Sequence, residues 1–507
     1  MKSKSNVGLR IAAIAGVLAL SATVANASEC VRIASPESSG EKLSTDPADQ
    51  LSAHDASLVY GIYDRFIGLN HSFEPIPALA TSWEPSDAGK TWTFKIQEGV
   101  KFHDGSDLTA ADVVWTFQRL LDPEVGSGAG ASILDFLTPE GIRAVNDHTV
   151  SFTAKEPVAE MPLLLTTKLN LVVPEGKTGD DLRHNGVGSG PFKLAGTLDP
   201  SAAVWRLDAN ADYWGGPPKS SCLEHSVIDE GLTLVSALKA GNVDLALSID
   251  PAVLGAVKDD SNIKLVETGA GTSQLLAMDV RKPPFDNLKV RQAMKAVVDR
   301  QAILNTALLG IGELGNDNPV PPAWPTAYTT EIKQQDISLA KKLLAEAGYP
   351  DGIDVDLYTS DALPGMSMIA QVYQQMAAEA GIRVNLQISA SSSFWDDIWM
   401  QRPFTSSGWS IRPPAVGLSI AYSYEGKWNE TYWYDRPFQD LLDQGKTEID
   451  DAKRTQHLKD AQQRLSEHGG TILPVFIHQV AGIRTNCSGF KPHAQNFNLD
   501  YHALICN

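Results

Sequence analysis

Polar and apolar side chains alternate over residues 91–96 (TWTFKI), the two-residue period of a strand with one buried face. Gly99 interrupts the run, residues 100–102 resume it, and His103-Asp104-Gly105-Ser106 has the chemistry of a turn. Thr109 with Asp112 three positions on is a capping pair that predicts a helix over residues 110–121. Its apolar positions Val113, Val114, Phe117, Leu120 and Leu121 keep helical spacing. The same spacing predicts helices over 56–66, 232–240, 288–308 behind Asn287, 338–347 behind Asp336, 366–380, 437–445 and 451–468. Extended runs fall at 31–34, 149–152, 205–207, 243–246, 353–358, 382–388 and 471–476. The order strand, helix, strand over 353–388 reads as a βαβ unit. Residues 310–335 and 406–434 are broken by Gly, Pro and polar residues and read as loops.

With 507 residues the chain is too long for a single small core, and its 43% apolar and 20% charged content is that of a folded globular protein. The first 27 residues stand apart. Lys2, Lys4 and Arg10 form a positive stretch, residues 11–20 are apolar, and Ala25-Asn26-Ala27 is an A-x-A cleavage pattern. This predicts a secretory signal cleaved after Ala27, with an apolar core too short to span a bilayer. Losing its three positive charges takes the net charge from −19 to −22, which disfavours nucleic acid and anionic membrane surfaces as partners. All four cysteines, Cys30, Cys222, Cys487 and Cys506, follow the cleavage site. An even count in an oxidising compartment favours two disulfides, and three pairings are open.

Four runs carry a family likeness: Ser82-Trp83-Glu84, residues 89–94 (GKTWTF), residues 99–105 (GVKFHDG) and residues 108–114 (LTAADVV). Together they closely resemble the signature of extracytoplasmic solute-binding proteins of family 5, the dipeptide, oligopeptide and nickel receptors of ABC importers. Tyr63-Asp64-Arg65-Phe66, Gly188-Ser189-Gly190-Pro191-Phe192 and Asp212-Tyr213-Trp214 resemble further landmarks of that family. The resemblance implies an α/β, two-lobed periplasmic-binding-protein fold, with hinged lobes built on mixed sheets and an extra third subdomain. Lobe I is expected over residues 28–278 and 477–507, with the extra subdomain at about 66–200, and lobe II over 279–476. The likeness also implies the pairings Cys30–Cys222 and Cys487–Cys506. It implies a monomeric periplasmic receptor that takes a small molecule or peptide to a membrane permease of an ABC importer. No cofactor and no direct membrane insertion are expected.

Chemistry that would make the chain an enzyme is missing from the sequence. There is no G-x-S-x-G elbow and no H-E-x-x-H, and the histidines lack metal-ligand spacing. The glycines of 186–192 lack the Lys-Ser/Thr of a phosphate loop. His103 beside Asp104 reads as a turn residue. A secreted hydrolase with an unrecognised carboxylate pair is the alternative of another class.

Aromatic residues mark the candidate ligand site instead. Of 11 tryptophans, Trp395, Trp399, Trp409, Trp428 and Trp433 share one window of lobe II with Tyr424. Trp409 after Gly408 resembles the family's Gly-Trp, beyond which dipeptide receptors place an aspartate for a peptide's amino group. Here Arg412 follows, and a guanidinium favours a carboxylate or another anion through a bidentate fork. Trp428-Asn429-Glu430 resembles a pattern of peptide- and opine-type receptors. In lobe I the resemblance points to Ser52, His54 and Asp55. The expected cargo is a peptide or peptide-like solute, with an opine or oligosaccharide as alternatives.

Overall fold

The computed structural model describes residues 30–36, 43–49, 53–71, 73–127, 130, 133–134, 136–166, 170–229, 231–322, 324–329, 331–491, 493 and 499–507. The expected signal segment and Ser52 lie outside them. Two long antiparallel strands, Ile263–Met278 and Thr471–Arg484, form the centre of an eleven-stranded mixed sheet. Towards one side Thr272–Met278 pairs antiparallel with Phe404–Ser410, and the parallel strands Ile353–Ser360 and Ile382–Ser389 follow. Towards the other, Gly482 and Ile483 pair with Leu245–Ala246; beyond it lie Val31–Ser35, Cys222–Val227, Trp205–Ala209 and Phe192–Leu194.

The strand expected to stop at residue 476 therefore continues to Arg484. Its burial explains why: Thr471–Phe476 and Val480–Ile483 are buried, while Ile477, His478 and Gln479 between them are half-buried. A half-buried waist thus separates two buried halves of the strand. The facing strand has two of its three register shifts between Glu267 and Thr272 and the third between Gln274 and Leu276.

Two other local differences have equally plain causes. The single helix expected over 288–308 is two, Leu288–Ala296 and Arg300–Ala307, because the Asp299 carboxylate accepts from the Ala302 N–H and caps a new start. The stretch 406–434, read as loop, contains the strand Phe404–Ser410 and the helix Pro414–Tyr422. That helix buries residues around its whole circumference, so it carries no amphipathic period for a sequence reading to find.

In the segment expected as the extra subdomain, the strand at 91–96, the helix at 110–121 and the strand at 149–152 appear as predicted, and two unpredicted strands join them. Ala80–Ser86, Thr91–Ile96, Thr149–Ala154 and Leu137–Asn146 form a four-stranded antiparallel sheet in that order. Helix Ala110–Leu121 lies on it behind the Thr109/Asp112 capping box. Phe66, Phe94, Phe117 and Phe152 fill its core with ring centroids 5.0 to 5.7 Å apart. Both expected disulfides are present, Cys30–Cys222 and Cys487–Cys506. The first follows from parallel pairing of Val31 with Leu223, which sets the preceding residues side by side.

The landmarks of the sequence converge on one buried carboxylate. Asp64 accepts from Ser189 Oγ at 2.9 Å, from the Tyr213 hydroxyl at 2.8 Å and from Trp214 Nε1 at 2.8 Å. His103 joins the same turn: Nε2 lies 3.0 Å from the Gly190 carbonyl, and its backbone N–H donates to Gly188 O. Glycine is required at 188 and 190, since a Cβ there would meet the Ile62 backbone at 2.0 and 2.6 Å.

Asp64→Ala strands three donors in the interior and is expected to cost about 3–5 kcal/mol of unfolding free energy in a urea titration. A second expectation concerns acid. Burial lowers His54 from 6.5 to about 4, so the unfolded chain takes up its proton first as pH falls. The stability it contributes is complete above pH 6.5 and is lost towards pH 4, at about 1.4 kcal/mol per pH unit. His103 behaves alike, with burial the leading cause. Denaturation midpoints measured from pH 7 to 4.5 should fall accordingly, and His54→Gln should flatten the slope.

Candidate functional site

The site is assembled from three consecutive pieces of lobe II: the end of strand Phe404–Ser410, helix Pro414–Tyr422 and the loop to Trp433. Trp409 leaves the strand half-buried, opposite Ser273 of the central strand. Its indole meets Trp428 at 5.7 Å and Trp399 at 6.0 Å between centroids, and Trp399 meets Trp395 at 5.8 Å. The four rings form one edge-on chain, with Trp395 the exposed end at 37%.

Arg412 stands beside this chain. Its guanidinium lies 5.3 Å from the Trp409 ring centroid and donates to the Ser410 carbonyl at 3.0 Å. Among the described residues no carboxylate pairs with it. Burial lowers its pKa from the ordinary arginine value. By contrast Arg300, buried deeper in the same lobe, is matched by Asp317 at 2.8 Å. Trp409, Arg412, Ser273, Val320, Ile420 and Tyr422 line a pocket of about 20 Å³, room for roughly one water. Anything larger enters only when its walls part.

The walls belong to a contact between lobes. Val320 and Ile411 share an apolar cluster with Leu69, Phe73 and Leu163 of lobe I. Val416 and Ile420, from the helix beside the pocket, enter the core cluster of the extra subdomain. Across the same contact the Ala159 N–H donates to Lys446 O at 3.0 Å, and Glu160 faces Arg454 at 3.4 Å.

The remaining sequence-derived residues separate into four groups. Glu430 is buried under the rings: Oε1 accepts from Trp409 Nε1 at 2.8 Å and Oε2 from Trp399 Nε1 at 2.5 Å. Asn429 and Trp433 are packing residues. The Asn429 amide donates to the carbonyls of Ser423 and Trp433 and closes the loop, and Trp433 stacks into a core with Phe438, Leu442, Leu458 and Leu465. Tyr424 lies on the surface against Tyr434, edge to face at 5.7 Å. His54 and Asp55 are buried in lobe I, where His54 Nδ1 meets Ser35 Oγ at 2.8 Å and its ring lies on Trp205. Among the described residues, the ring and hydrogen-bond partners of the His54 side chain are Ser35, Trp205 and His225, outside the aromatic window.

Sequence reading placed Tyr422 in the aromatic window but missed Val320 and Ile420, apolar positions in segments read as loops that only the fold turns to the same pocket. Among the described residues the ligand atoms grouped closely enough for a metal are those of Asp244, Cys487 and Cys506, and both sulfurs are spent in a disulfide.

Residues 74–430 match the profile of bacterial extracellular solute-binding proteins, family 5, middle region. The chain belongs to that family. Heme-binding protein A of Haemophilus influenzae is 31% identical over 355 residues, a match spanning 64% of each chain. Di/tripeptide-binding protein 1 of Pseudomonas aeruginosa is 28% identical over 430 residues, 77% of this chain and 79% of its own. Among solved structures, the binding protein AgaA from A. tumefacien R10 in complex with agropinic acid superposes with a TM-score of 0.77 at 25% identity, covering 94% of this chain and 99% of that one. The family is one of binding proteins, and its function here is solute capture rather than catalysis. The hydrolase alternative is set aside on that ground. Two of these relatives are named for different ligands, heme and di/tripeptides, and the third is in complex with agropinic acid.

The division between packing and pocket residues is open to measurement. Trp433→Ala is expected to lower stability by about 3–5 kcal/mol. Tyr424→Ala, at the surface, should stay within about 0.5 kcal/mol of the parent in the same denaturation series.

Proposed function

We propose that this family 5 receptor captures a small, polar, peptide-like solute bearing an anionic group, in the periplasm, and hands it unchanged to the membrane permease of an ABC importer. The observation that carries the ligand class is Arg412, a desolvated guanidinium with no carboxylate partner among the described residues, set against Trp409 at a pocket between lobes. A cation in that setting gains most from a carboxylate that arrives with the ligand. The bidentate fork supplies orientation, and the rings supply apolar area without demanding one side-chain identity.

The lobes in this reading are residues 28–278 with 477–507 and residues 279–476, turning about the waist at 267–272 and 477–479. A ligand that touches both faces binds only the closed form and draws the equilibrium towards it. An opine receptor is the second reading, supported by the likeness to AgaA with agropinic acid. Opines also present carboxylates, so Arg412 would serve both.

Native mass spectrometry of the purified protein, beside a denatured extract, is expected to reveal a co-purified anionic small molecule of peptide or opine mass. Conversion of that molecule by the protein would overturn the receptor reading. Arg412→Ala should weaken its calorimetric affinity by about 2 kcal/mol or more, and an unchanged affinity removes the anion from the proposal.

A further inference from the structure

Glu430 is a carboxylate buried to 4% exposure that no cation neutralises among the described residues. Its two oxygens each take one indole N–H, from Trp409 at 2.8 Å and Trp399 at 2.5 Å. The three residues come from three segments: Trp399 from the turn after the short helix Phe394–Ile398, Trp409 from strand Phe404–Ser410, and Glu430 from the loop beyond helix Pro414–Tyr422. Burial raises the Glu430 pKa, and the two indole hydrogen bonds oppose that rise.

We propose that Glu430 is a positioning residue of the cleft and does not itself touch the ligand. Its carboxylate fixes the tilt of Trp409 and Trp399 and thereby sets the wall that the ligand of Arg412 meets. The geometry demands this residue type. Two N–H donors converge on one side chain, and a carboxylate offers both oxygens as acceptors. Glutamine would offer one oxygen and turn an NH2 donor at the other indole. One ring must then rotate out of place. Alanine would leave both indoles without a partner, and aspartate would keep both acceptors while drawing them back by one methylene. Arg412 lies against Trp409, whose indole N–H is held by Glu430. Rotation of that ring therefore moves the surface on which the guanidinium rests. The surroundings of Glu430 are otherwise uncharged: besides the two indoles, Ser407 and the buried Tyr422 hydroxyl face it. This inference rests on the reading of the Trp409–Arg412 pocket as the ligand site.

The test uses the full chain labelled with 15N at tryptophan, with the two indole signals assigned through Trp399→Phe and Trp409→Phe. Glu430→Gln is expected to displace the indole N–H signals of Trp399 and Trp409 and leave those of Trp115 and Trp205, bonded to distant carbonyls, in place. Deuterium exchange at the two displaced indoles should quicken at least tenfold. Glu430→Asp, which keeps both acceptors, should shift both signals while retaining slow exchange, and it carries the test if the glutamine variant does not fold. Indole signals unmoved in both variants overturn the positioning role. Calorimetry with the dipeptide Ala-Glu then separates the two readings. Affinity lowered at least tenfold by Glu430→Gln and by Arg412→Ala supports both. Displaced indoles with Ala-Glu affinity unchanged in both variants leave the Glu430–indole bonds standing and overturn the role of that wall in selecting such a ligand.

Discussion

The antiparallel ladder between Ile263–Met278 and Thr471–Arg484 is shared by both halves of the molecule, and the rest of the architecture follows from it. Thr471–Arg484 is buried twice, at 471–476 and 480–483, with a half-buried waist in between, while its partner is buried mainly from Ser273 to Met278. Backbone pairing through the waist keeps the lobes in one sheet, while the shifts of register between Glu267 and Thr272 break the regular ladder at that point. Gln479 donates its N–H to the Thr268 hydroxyl there, a side-chain bond where a ladder bond would otherwise sit. A continuous sheet with an irregular middle restrains the direction of motion and leaves its amplitude to the contact between the lobes.

That contact is mostly apolar. Helix Pro414–Tyr422 lends Val416 and Ile420 to the core of the extra subdomain, and Val320 and Ile411 lie among residues of lobe I. Apolar contact of this kind is indifferent to the exact partner, which suits a surface that opens and closes. Polar contacts are fewer and lie beside it, Glu160 with Arg454 and Ala159 with Lys446. The pocket sits at the edge of the same contact.

Two buried carboxylates divide the work of scaffold and site. Asp64 gathers hydroxyl and indole donors from three stretches and fixes how the extra subdomain meets lobe I. Glu430 gathers two indoles from separate segments beside the pocket. In neither place does a salt bridge supply the compensation. Hydrogen bonds from neutral donors do, and they carry direction as well as energy.

The residues alone determined much of this. The capping pair Thr109/Asp112, the alternation of 91–96 and the helical spacing of 110–121 are local patterns, and local hydrogen bonds and burial faces enforce them wherever the segment folds. The family signature and the strand–helix–strand order of 353–388 were legible for the same reason. Tertiary structure decided what no local pattern encodes. Helix Pro414–Tyr422 is buried all round, so its period is invisible until its surroundings are known. Asn429, Glu430 and Trp433 stand within five positions of one another, yet one closes a loop, one holds two rings and one fills a core. Arg412 and the distant Val320 meet only because the chain returns to the central strands between them. Composition names the residues a site can draw on; which of them face the ligand depends on contacts made across the chain, and these are set by packing.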